Sequence, residues 1–181
     1  MKTIGQSLSS YRVIGVKPGF NLPEENNVSA FKVITESSFP GKWKIFYFYP
    51  KDFTFVCPTE ISEYNKLVKD FNERNAILLG GSSDNEFVKL AWRRENSNLY
   101  KLNHWQFSDT NGSLIDQLGI RHETGVALRA TFIFDPQNII QHITVNNLNV
   151  GRNPIETLRI LDAIQTGKLC ACNRTLNGKT L

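Results

Sequence analysis

Trp43-Lys44-Ile45-Phe46-Tyr47-Phe48-Tyr49-Pro50-Lys51-Asp52-Phe53-Thr54-Phe55-Val56-Cys57-Pro58-Thr59-Glu60 is the stretch on which the reading of this chain turns. Trp43 to Tyr49 is a nearly continuous apolar run rich in aromatic side chains. Ser38-Phe39-Pro40-Gly41 turns the chain into it and Pro50 closes it, which predicts a strand buried on both faces. After Cys57 the periodicity changes. Ile61, Tyr64, Leu67, Val68 and Phe71 recur at helical spacing, with charged residues between them. Cys57 therefore sits at the seam between a central strand and an amphipathic helix. Pro58 suits the first helical turn, where a missing N–H costs little. The unpaired N–H groups of that turn and the positive end of the helix dipole favour a thiolate. Thr54 adds a hydroxyl able to donate to sulfur or to a bound oxygen. A lone cysteine is more often a small buried hydrophobe than a nucleophile. Thr54, Pro50 and the helix start reverse that balance, and Cys57 reads as a nucleophile.

Outward from this stretch the chain alternates strand and helix. Residues 1–30 read as an irregular entry with a short strand near Tyr11–Val16 and a turn at Lys17-Pro18-Gly19; Phe31–Ile34 predicts another strand. Ala76 to Gly81 is a second buried strand, and Ser83 with Glu86 reads as a capping box for a helix bearing Phe87, Leu90 and Ala91. Phe107 and Asp109 mark a further short strand, and Leu114, Ile115 and Leu118 a brief helix ended by Gly119. Arg129–Asp135 and Ile139–Val145 are strands of a hairpin across Pro136-Gln137-Asn138. Asn153, Pro154 and Glu156 supply a cap, a first-turn proline and an acid for a last helix with Ile155, Leu158, Leu161 and Ile164, stopped by Gly167. This order is an α/β layer fold with a central mixed β-sheet flanked by helices, and it matches a thioredoxin-like domain. Residues 1–166 are expected to form that single domain and 167–181 a C-terminal tail.

Composition narrows the function. A chain of 181 residues is long enough to bury a core without staples. Its three cysteines are too few and too unevenly placed for a secreted disulfide scaffold and point to a reducing cytoplasm. There the Asn-x-Ser/Thr matches at Asn27, Asn111 and Asn173 carry no meaning. No apolar run has the length of a signal peptide or a membrane span, so no membrane partner is expected. The net charge of +4 is dispersed, and Arg93-Arg94 lies within a helical pattern, so nucleic acid is not an expected partner. His104, His122 and His142 are scattered, which argues against a zinc site completed by the C-x-C at Cys170 and Cys172.

The pattern P-x-x-x-T-x-x-C at Pro50, Thr54 and Cys57 resembles the active-site signature of the peroxiredoxins. FYFYPKDFTFVCPTEI is similar to their alkyl hydroperoxide reductase branch, and the tail Leu169-Cys170-Ala171-Cys172-Asn173 to its actinobacterial type. The resemblance implies a thiol-specific peroxidase acting on hydrogen peroxide and organic hydroperoxides, without metal, haem or flavin cofactor. It implies Cys57 as the attacking thiolate, Thr54 hydrogen-bonded to thiolate and peroxide, and Pro50 roofing the pocket. Arg129, in the family-like Arg129-Ala130-Thr131-Phe132, would hold the thiolate's charge and polarise the departing oxygen, with Glu60 orienting the guanidinium. Arg152, in Gly151-Arg152-x-x-x-Glu156, reads either as a second guanidinium at the site or as a surface residue at a helix entry.

The sulfenic acid left on Cys57 condenses with a second thiol. The family places that thiol just after the last helix and uses it on a partner subunit; Cys170 matches the position. The doubled cysteine leaves open whether Cys170 or Cys172 resolves, with Cys172 a relay. Further implied partners are a homodimer assembling into a decamer or dodecamer ring, and an external reductant. Candidates are thioredoxin, a flavoprotein disulfide reductase, or a small C-x-x-C reductase of the carboxymuconolactone-decarboxylase-like family. The Gly-Gly-Leu-Gly insert of over-oxidation-sensitive relatives is absent between Trp92 and Phe107, so resistance to over-oxidation is expected. The rival readings are a thioredoxin-like disulfide oxidoreductase, which a Cys57 without a C-x-x-C partner disfavours, and a holdase chaperone.

Overall fold

A computed structural model describes residues 2–181. The strands are β1 (Arg12–Val16), β2 (Glu24–Glu25), β3 (Val28–Ser29), β4 (Phe31–Thr35), β5 (Trp43–Phe48), β6 (Ala76–Ser82), β7 (Trp105–Ser108), β8 (Arg129–Phe134) and β9 (Ile140–Asn146), and helices enter from β5 onward. The helices are α1 (Cys57–Lys66), α2 (Val68–Glu73), α3 (Glu86–Glu95), α4 (Ser113–Leu118) and α5 (Pro154–Gln165), with a 3-10 turn at Ser97–Leu99. Seven strands form one mixed sheet in the order β4-β1-β7-β6-β5-β8-β9. β5 is parallel to β6 and antiparallel to β8, and β6 is parallel to β7. This is the expected thioredoxin-like α/β arrangement.

The period of two in β5 divides the core. Phe46 and Phe48 face one side with Phe107, Phe132 and the α4 residues Leu114, Ile115 and Leu118. Ile45, Tyr47 and Tyr49 face the other, against Ile61 and Tyr64 of α1, Phe71 of α2 and Leu158 and Leu161 of α5. Every one of these side chains is at most 2% exposed, which explains why β5 reads as a continuous apolar run rather than an alternating one. Tyr47 leaves no room beneath it. A Cβ on Gly80 of the neighbouring β6 would collide with the Tyr47 ring at Cζ and its hydroxyl, so glycine fits there without displacing the buried tyrosine.

Three sequence expectations are corrected. The helix predicted through Phe71 divides at Leu67, where the Leu67 N–H bonds back to the Tyr64 carbonyl at 3.1 Å and tightens the turn. α2 is thereby re-aimed so that Phe71 is buried with Leu78 of β6. The cap of α3 is Asn85, whose Oδ1 accepts from Val88 N at 2.9 Å; Ser83 lies ahead of the helix. The entry segment contains the small β2–β3 hairpin, turned by Asn26 and Asn27, both at positive φ. The α4 stop at Gly119 and the Asn153 cap with Pro154 of α5 occur as read.

Beyond α5 the chain has no helix or strand, yet it lies back against α5. Asp162 accepts from Arg174 Nη1 at 2.7 Å and from the Asn177 N–H at 3.0 Å. Arg159 donates to the Arg174 carbonyl at 2.9 Å. Among the described residues no helix is long and apolar enough to cross a membrane.

Candidate active site

The loop leaving β5 carries Pro50 and Thr54 and delivers Cys57 to the first position of α1, with Pro58 next. Val56 caps the helix without a side-chain bond, and its carbonyl accepts from Thr59 N and Glu60 N. The first turn is therefore not satisfied by any side chain, and Cys57 occupies its positive end. The thiol is 1% exposed.

Arg129, at the start of β8, reaches it from the antiparallel neighbour of β5. Its Nη1 donates to Cys57 Sγ at 3.4 Å and to Glu60 Oε2 at 2.6 Å, and its Nε to the Leu148 carbonyl at 2.6 Å. The guanidinium is thus clamped on two sides with one N–H group on sulfur.

Glu60 lies one turn along α1 from Cys57 and gathers two arginines. It accepts from Arg152 N at 2.9 Å, Arg152 Nε at 2.8 Å and Arg152 Nη2 at 2.9 Å, besides Arg129. Arg152 is no surface residue: its side chain is 2% exposed, and its guanidinium lies over the rings of Tyr47 and Tyr64. Its Nη1 donates to the Ala130 carbonyl at 2.7 Å. Of the two readings of Arg152, the surface one does not hold: the side chain is buried and shares Glu60 with Arg129. Burial pushes the Glu60 carboxyl up, but the Arg152 hydrogen bonds and the charges of Arg152 and Arg129 outweigh it and hold it below the ordinary value of 4.5.

The sign of that shift has a consequence. Stability from Glu60 is fully present above its ordinary value and is lost as acidification carries the pH through the lowered one. Glu60→Gln leaves two buried guanidinium groups short of a counter-charge, a loss of about 3–5 kcal/mol at neutral pH. The stability gap between the native protein and Glu60→Gln, read from denaturant titrations, should shrink as pH falls below 4.5. A gap that stays constant down to acid-induced unfolding contradicts this account of Glu60.

Thr54 differs from expectation. Its Oγ1 donates to the Lys51 carbonyl at 2.9 Å, closing the loop on itself, and makes no bond to sulfur. With its proton so used, the oxygen retains lone pairs to accept from an incoming O–H. Pro50 is buried at the head of the same loop.

Cys170 and Cys172 do not join this group. All three cysteines are free; Cys170 is half-buried with its Sγ near Thr166 Oγ1 and the Ala163 carbonyl, and Cys172 is exposed. Among the described residues no cluster of His, Cys, Asp or Glu could hold a metal ion.

The sequence reading missed the polar layer beneath the site. Tyr64 Oη bonds Thr131 Oγ1 at 3.0 Å and Thr157 Oγ1 at 3.1 Å. The Tyr64 ring stacks on Tyr47 at 4.2 Å between centroids, and Tyr47 Oη meets His104 Nε2 at 2.6 Å. Burial holds His104 down at about 3, so its imidazole is neutral near pH 7. The available signal was Tyr64 itself, a polar tip four residues after Glu60 on an otherwise apolar helix face.

A thiol at a helix start, held by a buried arginine on the adjoining strand of a thioredoxin-like sheet, is an arrangement suited to thiol-dependent redox chemistry. Comparison with known proteins makes this specific: residues 16–143 match the AhpC/TSA family, and the chain belongs to that family. Within it the chain is a typical two-cysteine peroxiredoxin of the AhpC type. It is 44% identical over 173 residues to alkyl hydroperoxide reductase C of Mycolicibacterium smegmatis, covering 94% of this chain and 89% of the relative. It is 40% identical to the thioredoxin peroxidase of Trypanosoma brucei rhodesiense, over 91% of this chain and 86% of the relative. The structure of Mycobacterium tuberculosis AhpC superposes with a TM-score of 0.87 at 40% identity, covering 94% of this chain and 97% of that one.

Proposed function

We propose that Cys57 is the peroxidatic nucleophile of this peroxidase, acting on hydrogen peroxide and organic hydroperoxides. The observation that carries this is the Arg129 Nη1 contact to Cys57 Sγ at 3.4 Å, made by a guanidinium that Glu60 holds in place. The thiolate attacks one oxygen of the O–O bond. The S–O bond forms as O–O breaks, leaving a sulfenic acid on Cys57 and a hydroxide or alkoxide that takes up a proton to become water or alcohol. Arg129 supports the negative charge first on sulfur and then on the departing oxygen. Thr54 accepts the peroxide O–H, and Pro50 keeps water from the sulfur.

The sulfenic acid then condenses with the Cys170 thiol of a partner subunit, forming a disulfide and releasing water. Cys172, exposed on the same tail, passes the disulfide outward to an external dithiol. The name of the Trypanosoma relative supports thioredoxin as that dithiol; a flavoprotein reductase and a small C-x-x-C protein are the other candidates. Residues 1–166 act as the catalytic domain and 167–181 as the tail that carries the resolving thiol. The chain works in the cytoplasm as a homodimer assembled into a decamer or dodecamer ring.

A disulfide needs Cα atoms within about 4.4–6.8 Å, so a buried Cys57 and a tail pinned by Asp162 must both loosen before bonding. Peroxide-treated protein should therefore run as a covalent dimer on non-reducing gels, with peptide mapping linking Cys57 to Cys170. Cys170→Ser should lose turnover with thioredoxin while keeping one round of oxidation, and Cys172→Ser should slow re-reduction more than disulfide formation. A treated sample that stays monomeric rules out the intersubunit step. A mapped Cys57–Cys172 bond with Cys170→Ser turning over normally reverses the choice of thiol.

A further inference from the structure

We propose that the buried Lys89–Asp52 pair is a positioning device for peroxide reduction, tying α3 to the loop that sets Pro50 and Thr54 against Cys57. The inference rests on the proposed role of that loop. Between β5 and α1 the loop has no ladder of its own, and its only internal side-chain bond is Thr54 to Lys51. What fixes it comes from outside. Lys89 Nζ stands 3.3 Å from both Asp52 oxygens, 2.7 Å from Ser82 Oγ and 3.2 Å from Tyr49 Oη. An ammonium has three protons, and here it has three partners, one each at the ends of β5 and β6 and one in the loop. The Asp52 N–H donates to Asp84 Oδ2 at 2.8 Å. One turn further along α3, Trp92 stacks on Phe53 at 5.7 Å between centroids, and Phe53 holds the left-handed backbone at φ 55°. Two successive loop residues are therefore gripped by α3.

The burial is what makes the pair informative. The Lys89 and Asp52 side chains are 0% and 1% exposed. Burial pushes the Asp52 carboxyl up, and Lys89 pulls it back only in part. An apolar pair of similar volume often holds a fold as well as a desolvated ion pair does, so bulk stability alone does not account for two buried charges here, and the geometry they impose on the loop does. The hydrogen bonds of Lys89 and Asp52 go to none of Cys57, Arg129 or Glu60, so the pair reaches the site through the loop and the two strand ends it ties together.

Two rates separate this role from a structural one. Reaction with hydrogen peroxide uses Pro50 and Thr54, whereas alkylation of Cys57 by iodoacetamide needs the thiolate but neither of them. For folded Lys89→Met we expect the second-order peroxide rate to fall about 10–100-fold, the cost of a misplacement on the order of an ångström. Alkylation should stay within a few-fold of the native protein. Asp52→Asn, which keeps the side chain's shape, should shift the ratio of the two rates in the same direction and by less. An unchanged peroxide rate, or equal loss of both rates, overturns the proposal. If Lys89→Met fails to fold by circular dichroism, Asp52→Asn carries the test; unfolding of both assigns the pair a purely structural role and overturns it as well. Cys57→Ser, measured alongside, keeps the two readings apart. Native-like peroxide reduction in Cys57→Ser removes the nucleophile assignment, whereas an inactive Cys57→Ser beside an unaffected Lys89→Met removes only this inference.

Discussion

Cys57→Ser is expected to bring peroxide consumption down to the uncatalysed background while the protein keeps its fold. The serine hydroxyl is close in shape to the thiol, but it is not ionised near neutral pH and is a weak nucleophile without an adjacent base. None stands beside it. The polar group on Cys57 is a guanidinium, which has no lone pair to accept a proton. Glu60 does not serve either, because its two oxygens are taken up by Arg129 and Arg152. Folding should be nearly unaffected, since Cys57 lies at a helix start and the change removes little volume. Stopped-flow kinetics with hydrogen peroxide and a denaturant titration check both halves. A variant that keeps most of the native second-order rate contradicts the assignment.

Removing the Arg129 charge, as in Arg129→Met, should cost on the order of 10²–10³ in the peroxide rate, the loss typical of a donor aimed at developing charge. The penalty combines loss of support for the thiolate with loss of the donor facing the leaving oxygen. Arg129→Lys should recover only part, because the sulfur and Glu60 are met by Nη1 and the Leu148 carbonyl by Nε, and one ammonium nitrogen cannot stand at both places of that rigid fork. Stability should fall less than in Glu60→Gln, since Arg152 still pairs with Glu60 after Arg129 is gone. The measurement is again the stopped-flow rate, with iodoacetamide alkylation reporting the thiolate separately. Native rates in Arg129→Met would leave the guanidinium a merely structural partner of Glu60.

The legible parts of this molecule were those whose signal is local. β5 announced itself by aromatic density between two turns, α4 by its glycine stop, and α5 by Asn153 followed by Pro154. The Asn26-Asn27 turn was equally local, yet its flanking strands are too short to carry an alternating pattern. Cys57, Glu60 and Arg129 meet because β5 and β8 are sheet neighbours, and the P-x-x-x-T-x-x-C and R-A-T-F patterns carried that juxtaposition where spacing alone could not. The polar layer was harder to see. Lys89 and Arg93 look like solvated charges on an amphipathic helix, and both are 0% exposed. Their partners, Asp52 and Gln106, come from a loop and a strand remote in sequence. Thr54 failed in another way: the short reach back to the Lys51 carbonyl competes locally with any bond to sulfur.

The central claim is that one atom, Cys57 Sγ, takes the oxygen from the peroxide. The most direct measurement uses the Cys170→Ser/Cys172→Ser protein, in which neither tail thiol can resolve the product. It is treated with one equivalent of hydrogen peroxide, trapped with dimedone and mapped by mass spectrometry. The account predicts a single adduct, on Cys57, in an amount that matches the peroxide consumed. Peroxide consumed at the native single-turnover rate with no adduct on Cys57 would contradict it.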